Sequence, residues 1–223
     1  MDIDEKMVQR LTQQLIGEMT MDMRTKETVE KLKNFTTPEL CDGGAQRIMD
    51  YKIKPRAACG KIVGPACTVS VPVNVSGLVP DVFSVVKEGE VIVIAGHGSC
   101  VGSYWGDYRS LCAKKLGVEG IVIDGAFRDY AECETIGVPV FAKGIIPKSA
   151  GKERTGDLQI RVFCGDVEVN PGDFIVGDEN GVLVIAPEEA EGIMERALAK
   201  RRAEAACLKQ MEETGEIIPR VKL

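Results

Sequence analysis

Gly96–Asp129 reads GHGSCVGSYWGDYRSLCAKKLGVEGIVIDGAFRD. It follows the apolar run Val91–Ala95, which has the β-branched content of a buried strand. Four glycines between Gly96 and Gly106 read as a loop. Tyr104, Tyr108, Leu111, Cys112 and Lys115 recur near helical spacing, which predicts a helix over Ser103–Leu116 that Gly117 ends. Ile121–Ile123 reads as a short strand closed by Asp124-Gly125, with Arg128-Asp129 just beyond it.

A strand–helix–strand unit of this kind brings Asp107 and the Arg128-Asp129 pair to one edge of a sheet. In open α/β sheets, sites gather beyond the carboxyl ends of the strands. Glycine-rich backbone at a helix start leaves N–H groups free for an anion. One permanent cation and two carboxylates beside it suit a small anionic substrate and a hard divalent ion. The plainer reading of Arg128-Asp129 is a surface ion pair on a tight turn.

The spacing Asp107, twenty residues, Arg128-Asp129 resembles the signature of the RraA-like family, which includes the class II 4-hydroxy-4-methyl-2-oxoglutarate aldolases. The resemblance extends to Gly64–Val71 (GPACTVSV), Gly117–Asp129 (GVEGIVIDGAFRD), Gly137–Ala142 (GVPVFA) and Pro171–Pro187 (PGDFIVGDENGVLVIAP). It implies a layered β/β/α fold of the swivelling-domain type, an α/β domain over 35–223 with a helical N-terminal arm over 1–34 and a long C-terminal helix. It also implies a homotrimer or homohexamer with sites between subunits.

The same resemblance implies a metal-dependent lyase that cleaves 4-hydroxy-2-oxoacids to pyruvate, with oxaloacetate decarboxylation as a side activity. Asp129 would bind Mg²⁺ or Mn²⁺ directly, and Asp107 would act through metal-bound water. A glutamate of the C-terminal helix, Glu204 or else Glu212 or Glu213, would reach the metal's water in an adjacent subunit. The backbone of Gly106, Asp107, Tyr108 and Arg109 would hold the substrate carboxylate, and Arg128 would face the 2-oxo oxygen. The family also holds inhibitors of RNase E, which lack both aspartates. A non-catalytic regulator is therefore the alternative reading, although this chain has both Asp107 and Asp129.

Composition bounds these readings. A chain of 223 residues can bury a sizeable core. Its net charge of −6 argues against a nucleic-acid surface, which needs clustered lysine and arginine. No apolar run reaches the ~20 residues that span a bilayer, and the acidic start MDIDEKMVQR is unlike a signal peptide. A cytoplasmic location follows as an expectation. The eight cysteines form no C-x-x-C pair, so metal clusters and disulfides are not expected, and most should be buried and reduced. Cys100, in the glycine-rich loop, is read as structural.

The remaining expectations concern order along the chain. Residues 5–33 read as helix, with stripes Val8, Leu11, Leu15, Met19 and Val29, Leu32. Thr37-Pro38-Glu39 starts a short helix, and Asp42 reads as a cap. Lys61–Val73 is strand-rich, with Pro65 and Pro72 suggesting edges or bulges; Pro139 suggests an edge for Val138–Ala142. Lys148, Lys152 and Arg154 lie on a loop and could meet a distal substrate carboxylate or be solvated. Short strands separated by Asp166, Asp173 and Asp178 turns precede a helix over Pro187–Glu213. His97, the single histidine, sits in GHGS, where a phosphocarrier would place its nucleophile; local hydrogen bonding is the alternative.

Overall fold

A computed structural model describes residues 21–221. The expected helical stripe Val8, Leu11, Leu15, Met19 lies outside the described residues. The elements are α1 (Met23–Leu32), α2 (Thr37–Asp42), β1 (Arg47–Ile48), β2 (Lys54–Ala57), β3 (Ile62–Ser70), a 3₁₀ turn (Val79–Ser84), β4 (Val91–Trp105), α3 (Asp107–Lys115), β5 (Gly120–Phe127), α4 (Tyr130–Ile136), β6 (Val140–Ile145), β7 (Asp157–Leu158), β8 (Val162–Cys164), β9 (Val167–Val169), β10 (Phe174–Asp178), β11 (Gly181–Ile185) and α5 (Ala190–Thr214).

The hydrogen-bonded strand path runs β1-β11-β10-β3-β4-β5-β6-β2, with β7 also on β3. Strand β3 joins its two halves. Ile62–Pro65 pair antiparallel with β10, and Ala66–Ser70 pair parallel with β4. Pro65, which has no N–H, stands where one ladder ends and the other begins. It is buried in mid-sheet, not at the expected edge, because the changeover asks no donor of that residue. Likewise β6 is flanked by β5 and β2; Pro139 merely precedes it.

Side-chain alternation then sorts the core into three clusters. Ile92, Ile94, Ile121 and Ile123 face the 3₁₀ turn, α3 and α4. Val91, Val93, Val122 and Phe141 meet Ile62, Ile175, Val182 and Val184 between the two half-sheets. Val63, Val176 and Leu183 face Val29, Leu32 and Leu40 of the first helices and Ile193 and Met194 of α5. The expected layered α/β architecture is present, with helices on both outer faces.

Two local expectations are overturned. Gly96–Trp105 is not a loop: β4 continues to Trp105, with a break in register between Ile94 and Ser99 where His97 and Gly98 take positive φ. The glycines there allow close packing. A Cβ at Gly96 or Gly125 would meet the Tyr104 ring at 2.8 or 2.7 Å. Tyr104, expected on a helix, is a fully buried strand residue whose hydroxyl donates to the Gly96 carbonyl at 3.0 Å. The helix accordingly begins at Asp107, and β5 runs through Asp124-Gly125 to Phe127.

The cysteines also differ from expectation. All eight are free, but only Cys67, Cys133 and Cys164 are buried, and Cys59 and Cys100 are exposed. Asp173 and Asp178 are more than turn acids. Asp173 pairs with Arg47 at 2.6 Å, and Asp178 accepts from the Thr37 N–H and hydroxyl, both at 2.7 Å. Asp42 pairs with Lys200 at 2.6 Å.

Candidate functional site

Strands β4 and β5 are parallel neighbours, and their carboxyl ends are tied where the Arg128 N–H donates to the Trp105 carbonyl at 3.0 Å. The residue after β4 is Gly106 and the pair after β5 is Arg128-Asp129. Topology alone therefore sets these two segments side by side. A cleft of about 120 Å³ opens there, lined by Ser76, Ser103, Trp105, Gly106, Asp107, Tyr108, Arg109, Arg128, Asp129, Ser149 and Lys152. That is below the ~300 Å³ at which drug-sized sites begin, so one chain alone offers room for a small molecule.

Gly106 is the N-cap of α3 and has no side chain to cap it. The first intrahelical bond runs from Ser110 N–H to the Gly106 carbonyl, so the N–H groups of residues 107–109 lie outside the helix ladder. Tyr108 N–H donates to Asp107 Oδ1 at 2.6 Å. The Tyr108 ring is 76% exposed, so its contribution here is its backbone. Arg109 turns its guanidinium to the carbonyls of Tyr104 and, at 3.2 Å, Ser76. Burial, and then the neighbouring Arg128, lower the pKa of that guanidinium from its ordinary value.

Asp129 holds φ +56°, a left-handed conformation that aspartate tolerates better than most residues. Its Oδ2 lies 3.0 Å from Arg128 Nε. Arg128 Nη1 donates to Ser149 Oγ at 2.9 Å. Beneath them Trp105 Nε1 donates to Ser110 Oγ at 2.8 Å, and Ser110 Oγ lies 3.4 Å from Cys133 Sγ. Burial above all raises the Cys133 thiol pKa, against the Ser110 hydrogen bond and with help from Asp129 and Asp107.

The cleft thus brings together Gly106, Asp107, Tyr108, Arg109, Arg128 and Asp129. It does not include Glu204, which lies on α5 within 3.7 Å of Lys200, nor Glu212 or Glu213 near the end of that helix. Of the three loop bases, Lys152 lines the cleft, whereas Arg154 donates to both carboxylate oxygens of Asp81. His97 is exposed and is not among the lining residues. Sequence reading missed Ser76, Ser103 and Ser149. Ser149 lies twenty positions past Asp129 and reaches the site because its segment bridges to Ser103, a pairing no local pattern announces.

The donor set can be tested for an ion. Among the described residues no three His, Cys, Asp or Glu side chains converge as a metal cage. Mg²⁺ is characteristically held by one or two carboxylates, with water and substrate completing the octahedron; Mn²⁺ also favours such oxygen ligands. Asp107 and Asp129 on one cleft fit that habit.

A family model described as Aldolase/RraA matches residues 37–184. An uncharacterized protein of Methanocaldococcus jannaschii is 40% identical over 168 residues, covering 74% of this chain and 80% of that one. A Halalkalibacterium halodurans protein named "Putative 4-hydroxy-4-methyl-2-oxoglutarate aldolase" is 35% identical over 154 residues, 69% of this chain and 73% of that one. Among solved structures, Streptomyces coelicolor RraAS2, described as an unusual member of the RNase ES inhibitor RraA protein family, superposes with a TM-score of 0.73. It is 27% identical and covers 82% of this chain and 98% of its own. Among the described residues, no helix is long and apolar enough to cross a membrane.

Proposed function

Because the chain belongs to the RraA-like family, we propose that it is a divalent-metal-dependent carbon–carbon lyase, cleaving a 4-hydroxy-2-oxoacid of the 4-hydroxy-4-methyl-2-oxoglutarate type to pyruvate. The observation that carries this reading is the single cleft lined by Asp107, Arg128 and Asp129 at an uncapped helix N-terminus. Asp129 would hold Mg²⁺ or Mn²⁺ and Asp107 its water. Such an ion, when bound, supplies a Lewis acid at the 2-oxo oxygen and a water of lowered pKa.

The chain's own groups account for the rest. The backbone N–H groups from Gly106 to Arg109 would receive the substrate's carboxylate at the positive end of α3, that of Tyr108 in exchange for its bond to Asp107 Oδ1. Lys152 offers a second cation for a distal carboxylate. In retro-aldol cleavage the 4-hydroxyl would give up its proton on the Asp107 side, C4–O would become a carbonyl as the bond from C3 to C4 breaks, and the C4 fragment would leave as the second oxo product. The electron pair of the broken bond moves into C2=C3, leaving negative charge on the 2-oxygen. Arg128 faces that oxygen and stabilises the charge as it grows. Protonation at C3 then gives pyruvate. Loss of CO₂ from oxaloacetate leaves the same enolate.

Removing one such electrostatic group costs ~3–4 kcal/mol of transition-state stabilisation, so Arg128→Ala or Asp129→Ala should lower kcat by ~10²-fold or more. Pyruvate release from 4-hydroxy-2-oxoacids and oxaloacetate, with Mg²⁺ and with EDTA, measures it. Full activity of Asp129→Ala with added Mg²⁺ refutes the assignment. The second reading is a non-catalytic RNase regulator, supported by the likeness to RraAS2. It predicts binding to an RNase without pyruvate release from any oxoacid.

A further inference from the structure

Ser149 occupies a segment that the chain takes pains to hold against the cleft. Ser103 N–H donates to the Lys148 carbonyl at 2.8 Å and Ala150 N–H to the Ser103 carbonyl at 3.1 Å, on either side of Ser149. Gly151 N–H donates to the Asn74 carbonyl and Ser76 N–H to the Gly151 carbonyl, each at 2.8 Å. A Cβ at Gly77 would strike the carbonyls of Lys152 and Glu153 at 2.2 Å, and one at Gly102 would come within 2.7 Å of the Ala150 Cα. The backbone carrying Ser149 is therefore fixed by hydrogen bonds on both flanks and by packing too close for a side chain.

From this fixed backbone, which also carries Lys152, Ser149 Oγ reaches into the cleft and accepts from Arg128 Nη1 at 2.9 Å. Arginine and carboxylate side chains prefer a two-pronged fork. Arg154 shows it in this protein, donating to Asp81 from Nε at 2.7 Å and from Nη2 at 3.0 Å. Arg128 instead approaches Asp129 with Nε at 3.0 Å, while Nη1, on the opposite edge of the guanidinium, donates to Ser149. With its backbone N–H also held by Trp105, the long side chain is fixed at its root and at its tip.

We propose that Ser149 is a positioning residue: by anchoring Nη1 it fixes the orientation of the Arg128 guanidinium, which meets Asp129 through Nε alone, so that Arg128 faces substrate and Asp129 keeps an oxygen for the ion. This rests on the lyase reading above only for its kinetic consequence. A hydrogen bond to a charged group contributes ~1.5–3 kcal/mol, so Ser149→Ala should lower kcat by roughly 10-fold or more with KM little changed. Ser149→Thr, which keeps the hydroxyl, should restore most of it. Because Ser149 acts through Arg128, adding Ser149→Ala to Arg128→Ala should cost nothing further. The Arg128 Nε–H resonance, identified in ¹⁵N-labelled protein by its loss in Arg128→Ala, should move in Ser149→Ala, and Mn²⁺ should bind more weakly.

Wild-type kcat in Ser149→Ala, or an equal loss in the Arg128→Ala background, overturns the proposal. So does an unmoved Arg128 Nε–H resonance, which reports even if no oxoacid is cleaved. A wild-type protein that releases no pyruvate but whose Arg128 resonance moves in Ser149→Ala fails the lyase reading and upholds the positioning role.

Discussion

Alanine at position 106 puts one methyl group into the middle of the cleft. A Cβ there would lie 2.5 Å from Asp129 Oδ2, 3.3 Å from Arg128 Cγ and 3.5 Å from Arg128 Nε. Gly106 has φ −167°, an extended conformation open to any residue, so the backbone is not strained and the effect on the cleft is steric contact. Ordinary contact begins at 3.4 Å, and the carboxylate oxygen must therefore retreat by about 0.9 Å. A misplacement of ~1 Å can cost ~10²-fold in rate. Stability should suffer little, because the obstructing atom ends a rotatable side chain. Glycine to alanine at an N-cap costs ~1 kcal/mol, which is a fall in Tm of ~2–4 °C for a chain of this size. The assay is pyruvate release in Mg²⁺, coupled to NADH oxidation by lactate dehydrogenase, alongside thermal unfolding followed by circular dichroism. A Gly106→Ala protein with kcat/KM within about threefold of wild type would show that catalysis does not use Asp129 where it stands.

Two further predictions concern stability and reactivity. The Arg201 side chain first, then the Thr36 N–H and hydroxyl, hold the Glu39 carboxyl down at about 2, against a burial contribution that opposes them. A lowered folded pKa stabilises the protein above the ordinary value of 4.5 and loses that contribution as pH falls from 4.5 toward 2. Glu39→Gln should therefore lower Tm at pH 7 and flatten its decline across that window; parallel Tm profiles for the two proteins would refute this. Among the thiols, burial, with a smaller push from Glu90, raises Cys67 to about 12, and Cys133 and Cys164 are likewise raised by burial. Cys59 and Cys100 should react first with Ellman's reagent, and these three only on unfolding. Fast labelling of Cys133, followed by mass spectrometry, would contradict the burial of that thiol.

Periodicity and turn chemistry were enough to locate much of the fold. Val91–Ala95 and Ile121–Ile123 are β-branched runs, and the structure makes them neighbouring parallel strands. The helix over Tyr130–Ile136 and the short strands after Val162 likewise follow local signals; the helix start read at Thr37-Pro38-Glu39 is present, but its capping hydroxyl is Thr36, one residue earlier. Asp107 and Arg128-Asp129 were legible because a strand–helix–strand unit could be read around them, although that reading cut both strands short and began the helix early. A parallel crossover then leaves them at one sheet edge.

Other features depended on contacts distant in sequence. Four glycines within Gly96–Gly106 look like a loop because glycine's local preference is for turns. Here Gly96 makes room for the Tyr104 ring, and β5 supplies the ladder that keeps Ser103–Trp105 extended. Pro65 looks like an edge until β3 is seen to change partners at that residue. Ser149 meets Arg128 because its segment docks on Asn74 and Ser103. Sequence determined which residues could carry charge and which stretches could be strand or helix, since those depend on neighbours along the chain. Only the tertiary structure decided which hydroxyl meets the arginine and which glycine makes room for the aspartate, since those depend on distances between segments that no local preference encodes.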